Sequence, residues 1–442
     1  MWVRKIELNQ VKCIEQLSID LGTDEERYKW VTLLGDNGTG KTTILQALGL
    51  TLGVDSPIGL MEFEETLKLK QDPNEYQKKI YFPVQTYVQL DAVDQESVRA
   101  DKDYTIQSTL QQIPSSRVLQ VIQYQKDFTP VKFTSYGFSL SAFNPFKRKN
   151  SFFAAGYGAF RHISKKPTLS TPELVEPNKR NNFLTLFKES EALSGFHQWL
   201  ITLDYERLKN GLAEKTAQHY NLAIETLNHL LPQGTTFHSV DPKGIWYMVN
   251  GHKVSASTLS DGYRSIIALI GDLLWRLMHC YPNSDNPLHE TGVVLIDELA
   301  IHLHPKWQRQ IAGDLQRMFP NLQFIVTTHS PLIAAGAGKD AVTYQLELDK
   351  KGKTQIEQIE DIYAWNVDRI LRSSAFDMES AFSETTAAAI RRYNLLKGLA
   401  TKTKAQEEEI QQLLPTVKIA LADLAGSSTK KEKIKRLFQN KK

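Results

Sequence analysis

The stretch VTLLGDNGTGKTTILQALGLTLG, from Val31 to Gly53, constrains this chain more than any other. Its apolar opening reads as a buried strand, a glycine-rich turn follows, and the residues after Lys41 have helical periodicity. Gly35, Gly40, Lys41 and Thr42 keep the spacing G-x-x-x-x-G-K-T, with Asn37 and Gly38 at the tip of the turn. Glycines let such a backbone curl so that its N–H groups converge on phosphate oxygens. The following helix N-terminus adds the positive end of its dipole. Lys41 is then placed to reach the β- and γ-phosphates of a nucleotide, and the Thr42 hydroxyl to hold Mg²⁺.

Two more apolar runs end in reactive groups. In VVLIDE, Val293 to Ile296 carry Asp297 and Glu298 to the end of a strand. Two carboxylates there are costly unless they serve a purpose. Asp297 is placed to hold the Mg²⁺ and Glu298 to polarise an attacking water. In FIVTTHSP, His329 ends a second buried strand. Alone it reads as structural; beside the other two elements it reads as a γ-phosphate sensor. LSDGYRS, Leu259 to Ser265, heads a long helix. Ser260 and Gly262 offer a hydroxyl and a backbone N–H to a phosphate, although Ser260 alone is also a good helix N-cap.

The rest of the chain bounds the reading. With 442 residues, 41% of them hydrophobic and 23% charged, the composition is that of a soluble globular protein with room for one to three cores. No apolar run approaches the roughly 20 residues that cross a bilayer. The opening MWVRKIELNQVKCIEQLSIDL alternates like a strand and lacks a signal-peptide core. Cys13 and Cys280 are too few and too far apart for a disulfide framework or a zinc site, so a cytoplasmic location without a membrane partner is expected. The segment Lys430 to Lys442 holds seven basic residues and one glutamate, a net +6 against +3 for the whole chain, which leaves the body at −3. A DNA-binding character of the whole surface is therefore not indicated, and the basic tail reads equally as a solvated run or as a contact to phosphate or to an acidic partner.

Strands are expected at WVRKIELNQ, IEQLSIDL, KIYFPVQTYVQLD, VLQVIQYQ and VKFTSY, with an irregular stretch over 138–166. Helical periodicity runs from Asn182 to about Leu231, and FHSVDPKGIWYMVNGHKVSAS reads as a hairpin turning at Asn250-Gly251. Apolar strands alternating with helices then indicate a mostly parallel sheet. The expected divisions are an N-terminal lobe over 1–60, an insertion over 61–255, a second lobe over 256–364 and a helical C-terminal element over 365–442.

Taken in order, GDNGTGKTT, LSDGYRS, VVLIDE and TTHSP resemble the ABC-type ATPase heads. The branch they resemble includes the RecF, Rad-type and SMC-like heads and the AAA ATP-binding proteins of bacterial defence loci. The resemblance implies an α/β P-loop head with a mostly parallel sheet, an N-terminal antiparallel β subdomain and a helical lid insertion. It implies ATP and Mg²⁺, with two heads sandwiching two nucleotides. Lys41, Thr42, Asp297, Glu298 and His329 would then act in cis, with Thr43 near the α-phosphate, while Ser260 and Gly262 would act in trans. Two departures stand out. Asp261 and Tyr263 replace a glycine and a glutamine of the transporter signature, and the long stretch between Lys41 and Ser260 holds no coiled-coil heptads. An acidic side chain at 261 would weaken ATP capture or select another geometry.

His302 and His304 lack a third metal ligand and fall where the family has its dimer seam, so interface packing is expected. Arg161 in YGAFRHIS reads either as a contact to nucleotide or DNA, or as a surface salt bridge. No nuclease pattern or nucleophile elbow is evident; the triplet Asp101-Lys102-Asp103 has no apolar strand before it. The expected function is that of an ATPase resembling the subunits of anti-phage systems such as Septu and PARIS. Such a chain forms a homodimer or a higher oligomer such as a hexamer, and controls a separate nuclease or toxin effector. A RecF-like repair ATPase, with DNA as a partner, is the alternative; a transporter motor fits the spacing and signature less well.

Overall fold

The structure is a computed structural model of the chain. It describes residues 2–22, 28–52, 153–161, 181–189, 193, 195–209, 214–231, 234–241, 244–365, 367–371, 373, 382–399 and 401–424, and the strand backbones 84–90, 104–113, 117–126 and 129–135. The basic tail and the Asp101-Lys102-Asp103 triplet lie outside these residues. The chain divides into two compact units, Met1–Trp365 and Asn366–Lys442.

The first unit is organised by its core sheet. Strands β1 (Val3–Val11) and β2 (Ile14–Asp20) come first, then β3 (Trp30–Gly35), which runs into helix α1 (Lys41–Leu52). β3 lies in a six-stranded sheet with β8 (Phe153–Tyr157), β12 (Gly292–Ile296), β13 (Leu322–Thr328), β14 (Ala341–Leu348) and β15 (Thr354–Ile359). The order is β15-β14-β3-β13-β12-β8, parallel throughout except for the antiparallel β14–β15 pair. Successive residues of β12 enter different cores. Val293 and Leu295 pack with Val31, Leu33 and Ile325 on one face; Val294 and Ile296 pack with Trp30, Phe324 and Val326 on the other. A parallel sheet covered on both faces favours apolar residues on both sides of each strand, which is why these strands read as largely apolar runs, broken by buried polar residues such as Thr32 and Gln323. Parallel pairing also brings the C-terminal ends of β3, β8, β12 and β13 to one edge, where ligands of open α/β sheets bind.

A second, antiparallel sheet has the order β2-β1-β4-β5-β6-β7, with β4 (Val84–Leu90), β5 (Tyr104–Ile113), β6 (Arg117–Lys126) and β7 (Thr129–Ser135). The strands expected in the insertion thus extend the sheet that the N-terminus begins, since β4 pairs directly with β1. β5 was not expected from the sequence. Nor was β8, which lies within the stretch expected to be irregular and is buried along its whole length. FAAGY carries little apolar bulk, and Gly156 is backed by the Phe183 ring, where a Cβ would come within 2.6 Å of it.

Helices α2 (Leu184–Phe187), α3 (Gly195–Lys209) and α4 (Glu214–Leu230) occupy the predicted helical zone. β9 (Thr235–Asp241), β10 (Gly244–Val249) and β11 (His252–Ser255) form a small antiparallel sheet. Its β10–β11 turn has Asn250 and Gly251 at φ 49° and 84°, as its sequence requires. Then come α5 (Asp261–Cys280), α6 (Pro305–Met318) and α7 (Pro331–Gly336). α5 is buried from Ser265 to Met278 and carries an internal ion pair. Arg276 Nε donates to Asp272 Oδ2 at 2.5 Å, and its Nη1 donates to Asn182 Oδ1 at 2.5 Å. Asn182 in turn donates to the Ala154 carbonyl of β8 at 3.0 Å, so α5 is held to the sheet by polar contacts as well as packing.

The second unit contains α8 (Val367–Leu371), α9 (Glu384–Gly398) and α10 (Lys404–Leu424). Tyr393, Leu396, Ile410 and Val417 form the core between α9 and α10, and Arg392 donates to both carboxylate oxygens of Glu409 at 2.7 and 2.9 Å. Ser383 caps α9 by accepting from Thr386 N. Among the described residues no helix is long and apolar enough to cross a membrane.

One buried amide docks the two large sheets. Gln323 at the start of β13 is fully buried; its Oε1 accepts from Val3 N at 2.8 Å and its Nε2 donates to Val3 O at 3.0 Å. Gln323→Leu leaves both Val3 groups without that partner, and each unsatisfied buried group costs about 1–3 kcal/mol. The expected result is a urea midpoint lowered by an equivalent amount; an unchanged midpoint would show that the clasp contributes nothing.

Candidate functional site

The glycine turn opens where β3 ends. Gly35 has φ 155°, and a Cβ there would lie 2.3 Å from the Leu346 carbonyl oxygen of β14. Gly40 has φ 98°, with Cys13 Sγ and Thr354 Oγ1 each 3.2 Å from where its Cβ would be. Only glycine meets both demands without strain. Between them, Asn37 and Gly38 stand exposed at the tip, while Thr43 is buried in the first turn of α1. The first-turn N–H groups of α1 have no partner within the helix, which is what an anion requires.

Lys41 is 5% exposed, and its Nζ donates to the carbonyls of Gly35 and Asp36, each at 2.9 Å. Burial lowers its pKa, opposed by the charges of Glu298, Asp297 and Asp36. Across the sheet edge, the Thr42 hydroxyl meets Asp297 Oδ1 and Oδ2 at 3.1 and 2.9 Å. Thr327 Oγ1 donates to Asp297 Oδ1 at 2.5 Å and accepts from Glu298 N at 2.8 Å. Burial pushes the Asp297 carboxyl above its ordinary value, with the hydrogen bonds from Thr327 and Thr42 pulling the other way. Glu298 has φ 45°, a conformation that non-glycine residues seldom take. Its Oε1 lies 2.9 Å from His329 Nε2 and 3.8 Å from Lys41 Nζ. His329 Nε2 is also 3.1 Å from Lys41 Nζ, so this one nitrogen either donates to Glu298 or accepts from Lys41, according to the tautomer.

Lys41, Thr42, Asp297, Glu298 and His329 therefore meet in one place. Ser260 and Gly262 do not share these contacts. Ser260 takes the N-cap position of α5, yet its side chain makes no capping hydrogen bond and is exposed. Gly262 is buried against the loop that follows Glu298, where a Cβ would lie 2.2 Å from the His302 carbonyl oxygen. Asp261, the acidic departure in the signature, is paired with Arg264, whose Nη1 also donates to the Ser257 carbonyl at 3.1 Å. The added charge is thereby matched within its own turn.

Arg161 is buried, contrary to the surface salt-bridge reading. Its Nη1 donates to the carbonyls of Gly158 at 2.8 Å and Asp297 at 2.6 Å, and its Nη2 to that of Glu298 at 2.9 Å. His304 Nδ1 accepts from Lys306 N and caps α6. Among the described residues no group of three or more His, Cys, Asp or Glu side chains is placed to hold a metal. Two supporting residues escaped the sequence reading. Thr327 stands in the quoted TTHSP run but was overshadowed by His329. Thr354 of β15, whose Oγ1 donates to the Thr39 carbonyl at 2.9 Å, lies beyond any motif.

These groups fit a nucleoside triphosphate with Mg²⁺. The turn presents backbone N–H groups and an ammonium, and the Thr42–Asp297 pair supplies the hard oxygen donors that Mg²⁺ takes. A family described as "AAA domain, putative AbiEii toxin, Type IV TA system" matches residues 147–335, and one described as "AAA domain" matches residues 5–216. Over each of these two stretches the chain is similar to an AAA domain. It is 26% identical over 434 residues to the Septu protein PtuA of Bacillus mycoides (strain KBAB4), across 98% of this chain and 52% of that protein. It is 34% identical over 164 residues to the Retron Vc95 probable ATPase of Vibrio cholerae serotype O1 biovar El Tor, across 37% of this chain and 32% of that one. The chain thus spans about half or less of the length of these curated relatives. Among solved structures, an SMC head bound to the C-winged helix domain of ScpA aligns over 83% of this chain and 100% of its own, with TM-score 0.48 and 13% identity.

The raised Asp297 pKa carries a sign. Burial disfavours the ionised carboxylate, so its charge lowers the stability of the ligand-free chain at neutral pH. Asp297→Asn is expected to leave the ligand-free melting temperature unchanged or raised, by no more than about 1 kcal/mol in stability, while Mg²⁺-dependent nucleotide binding is lost. A clear fall in the melting temperature would show that the carboxylate is instead a net structural support.

Proposed function

We propose that the chain is an ATP-binding and ATP-hydrolysing head that dimerises around ATP and acts as sensor and scaffold of an anti-phage defence complex, controlling a separate nuclease or toxin effector. The observation that carries the nucleotide reading is the meeting of Lys41, Thr42, Asp297, Glu298 and His329 at one end of the parallel sheet. The likeness to a Septu protein and to a retron probable ATPase supports the defence setting.

In this reading Asn37, Gly38, Gly40 and Thr43 bind phosphate from the loop and first helical turn, and Lys41 exchanges the carbonyls of Gly35 and Asp36 for phosphate oxygens. Thr42 and Asp297 hold Mg²⁺, which supplies charge neutralisation on the phosphates. Glu298 Oε1 takes up the proton of the attacking water, and His329 Nε2 orients groups in the same space. Ser260 and Gly262 serve the nucleotide of a second copy. The uncapped, exposed Ser260 hydroxyl supports that role, because a hydroxyl committed to its own helix would be less available. Output is conformational: nucleotide held between two copies locks them, and hydrolysis releases them. The Asn366–Lys442 unit, with its basic tail, is the proposed effector dock.

Lys41→Ala is expected to weaken nucleotide binding at least about tenfold through loss of charge-assisted hydrogen bonds, read by titration with a fluorescent ATP analogue. Glu298→Gln should cut turnover by about 10²-fold or more and accumulate an ATP-dependent dimer in light scattering. If that variant has the same mass with and without ATP, the sandwich is wrong. Purification from the native host separates the two settings. A co-purifying nuclease or toxin supports the defence role, whereas turnover stimulated by duplex DNA, with steep salt dependence and no protein partner, favours a repair ATPase.

A further inference from the structure

The guanidinium of Arg161 divides its donors between two parts of the chain. Nη1 and Nη2 hold the carbonyls of Asp297 and Glu298 from behind, while the side chains of those residues face the glycine turn. Nε donates to Ser265 Oγ at 3.3 Å, on the first turns of α5. Ser265 is buried and follows Ser260 on the same helix. The head of α5 meets the carboxylate turn at a second point as well. Gly262 rests on the His302 carbonyl, at a residue with φ 64° in the loop that follows Glu298. Further along, the Asp272–Arg276 pair and Asn182 tie α5 to β8, the strand that leads to Arg161.

Glu298 sits in a left-handed conformation that costs energy unless its surroundings over-determine it. Thr327 holds its N–H on one side and Arg161 its carbonyl on the other. A change at Glu298 therefore pulls on the guanidinium, and the guanidinium bonds the helix that presents Ser260. We propose that Arg161 is a positioning residue that couples the two half-sites of one chain, so that the orientation of Glu298 toward its own nucleotide sets the orientation of Ser260 toward the nucleotide of a second copy. This rests on the sandwich reading for its consequence, although the coupling itself lies within a single chain.

The full-length chain tests it by hydrogen exchange with and without an ATP analogue and Mg²⁺. In the parent, protection is expected over the glycine turn and, together with it, over residues 258–266. Arg161→Ala removes the bond to three carbonyls and tests folding as well as coupling, so Ser265→Ala is the decisive variant: it deletes the link to α5 and leaves the carbonyl contacts in place. Ser265→Ala is expected to keep the single-chain nucleotide affinity within about twofold, to lose the nucleotide response over 258–266, and to lower turnover about tenfold. Arg161→Lys, which keeps the charge but not the fork, should not rescue that response. The proposal is overturned if residues 258–266 respond to nucleotide in Ser265→Ala as they do in the parent, or if they fail to respond in a parent whose glycine turn is protected. A parent that shows the coupled response yet never self-associates would support the coupling and remove the sandwich.

Discussion

The arrangement at the sheet edge depends on satisfying one buried carboxyl group, Asp297, at the end of an apolar strand. β12 delivers it from four fully buried residues, so little water reaches it. Two hydroxyls, Thr42 from α1 and Thr327 from β13, supply the hydrogen bonds that burial removes, and the charges of Lys41 and Arg161 interact with it. Each of these partners comes from a different segment. Asp297 is thus the point at which these segments meet: its carboxyl group joins the helix after the glycine turn to β13, and its carbonyl joins the loop after β8. Without it, Thr42 and Thr327 would have no common acceptor.

Charge burial is handled in the same way at Arg161. Desolvation lowers its pKa to about 10, with the carboxylates of Asp297 and Glu298 opposing the shift. Three carbonyls and one hydroxyl take four of its five N–H donors, and such pairing is what lets a guanidinium stay inside. Carbonyl acceptors fix position without cancelling charge. Arg161 therefore sets the backbone of the Asp297–Glu298 turn while leaving both side chains free to face the glycine turn.

How much of this was legible in the sequence follows from how each element earns its burial. β3, β12 and β13 are covered on both faces and announce themselves as predominantly apolar runs. The β10–β11 turn is written in Asn250-Gly251 because few other pairs take two positive φ angles. β8 is equally buried, but FAAGY fills its space with small residues and borrows the bulk of Phe183, so hydropathy gave no signal. β5, with Thr, Ser and Gln through YTIQSTLQQI, is too polar to stand out. β14 and β15 follow the last motif and were not anticipated, although Leu346 limits Gly35 and Thr354 supports the turn at Thr39.

By itself the sequence determined the local chemistry: a glycine turn with the spacing of a phosphate-binding loop, two carboxylates and a histidine at strand ends, and a serine at the head of a helix. Spacing and apolar runs are enough for that, because each motif is a contiguous strand–turn or turn–helix unit. The tertiary structure decided which of these groups share a site. Parallel pairing places the ends of β3, β12 and β13 at one edge, which joins Lys41, Thr42, Asp297, Glu298 and His329; it leaves Ser260 outside that cluster, at the head of its own helix. It also turned Arg161 inward, because beside the nearby Gly158 carbonyl its acceptors are the Ser265 hydroxyl and the carbonyls of Asp297 and Glu298, all more than a hundred positions away, and no local pattern records such contacts.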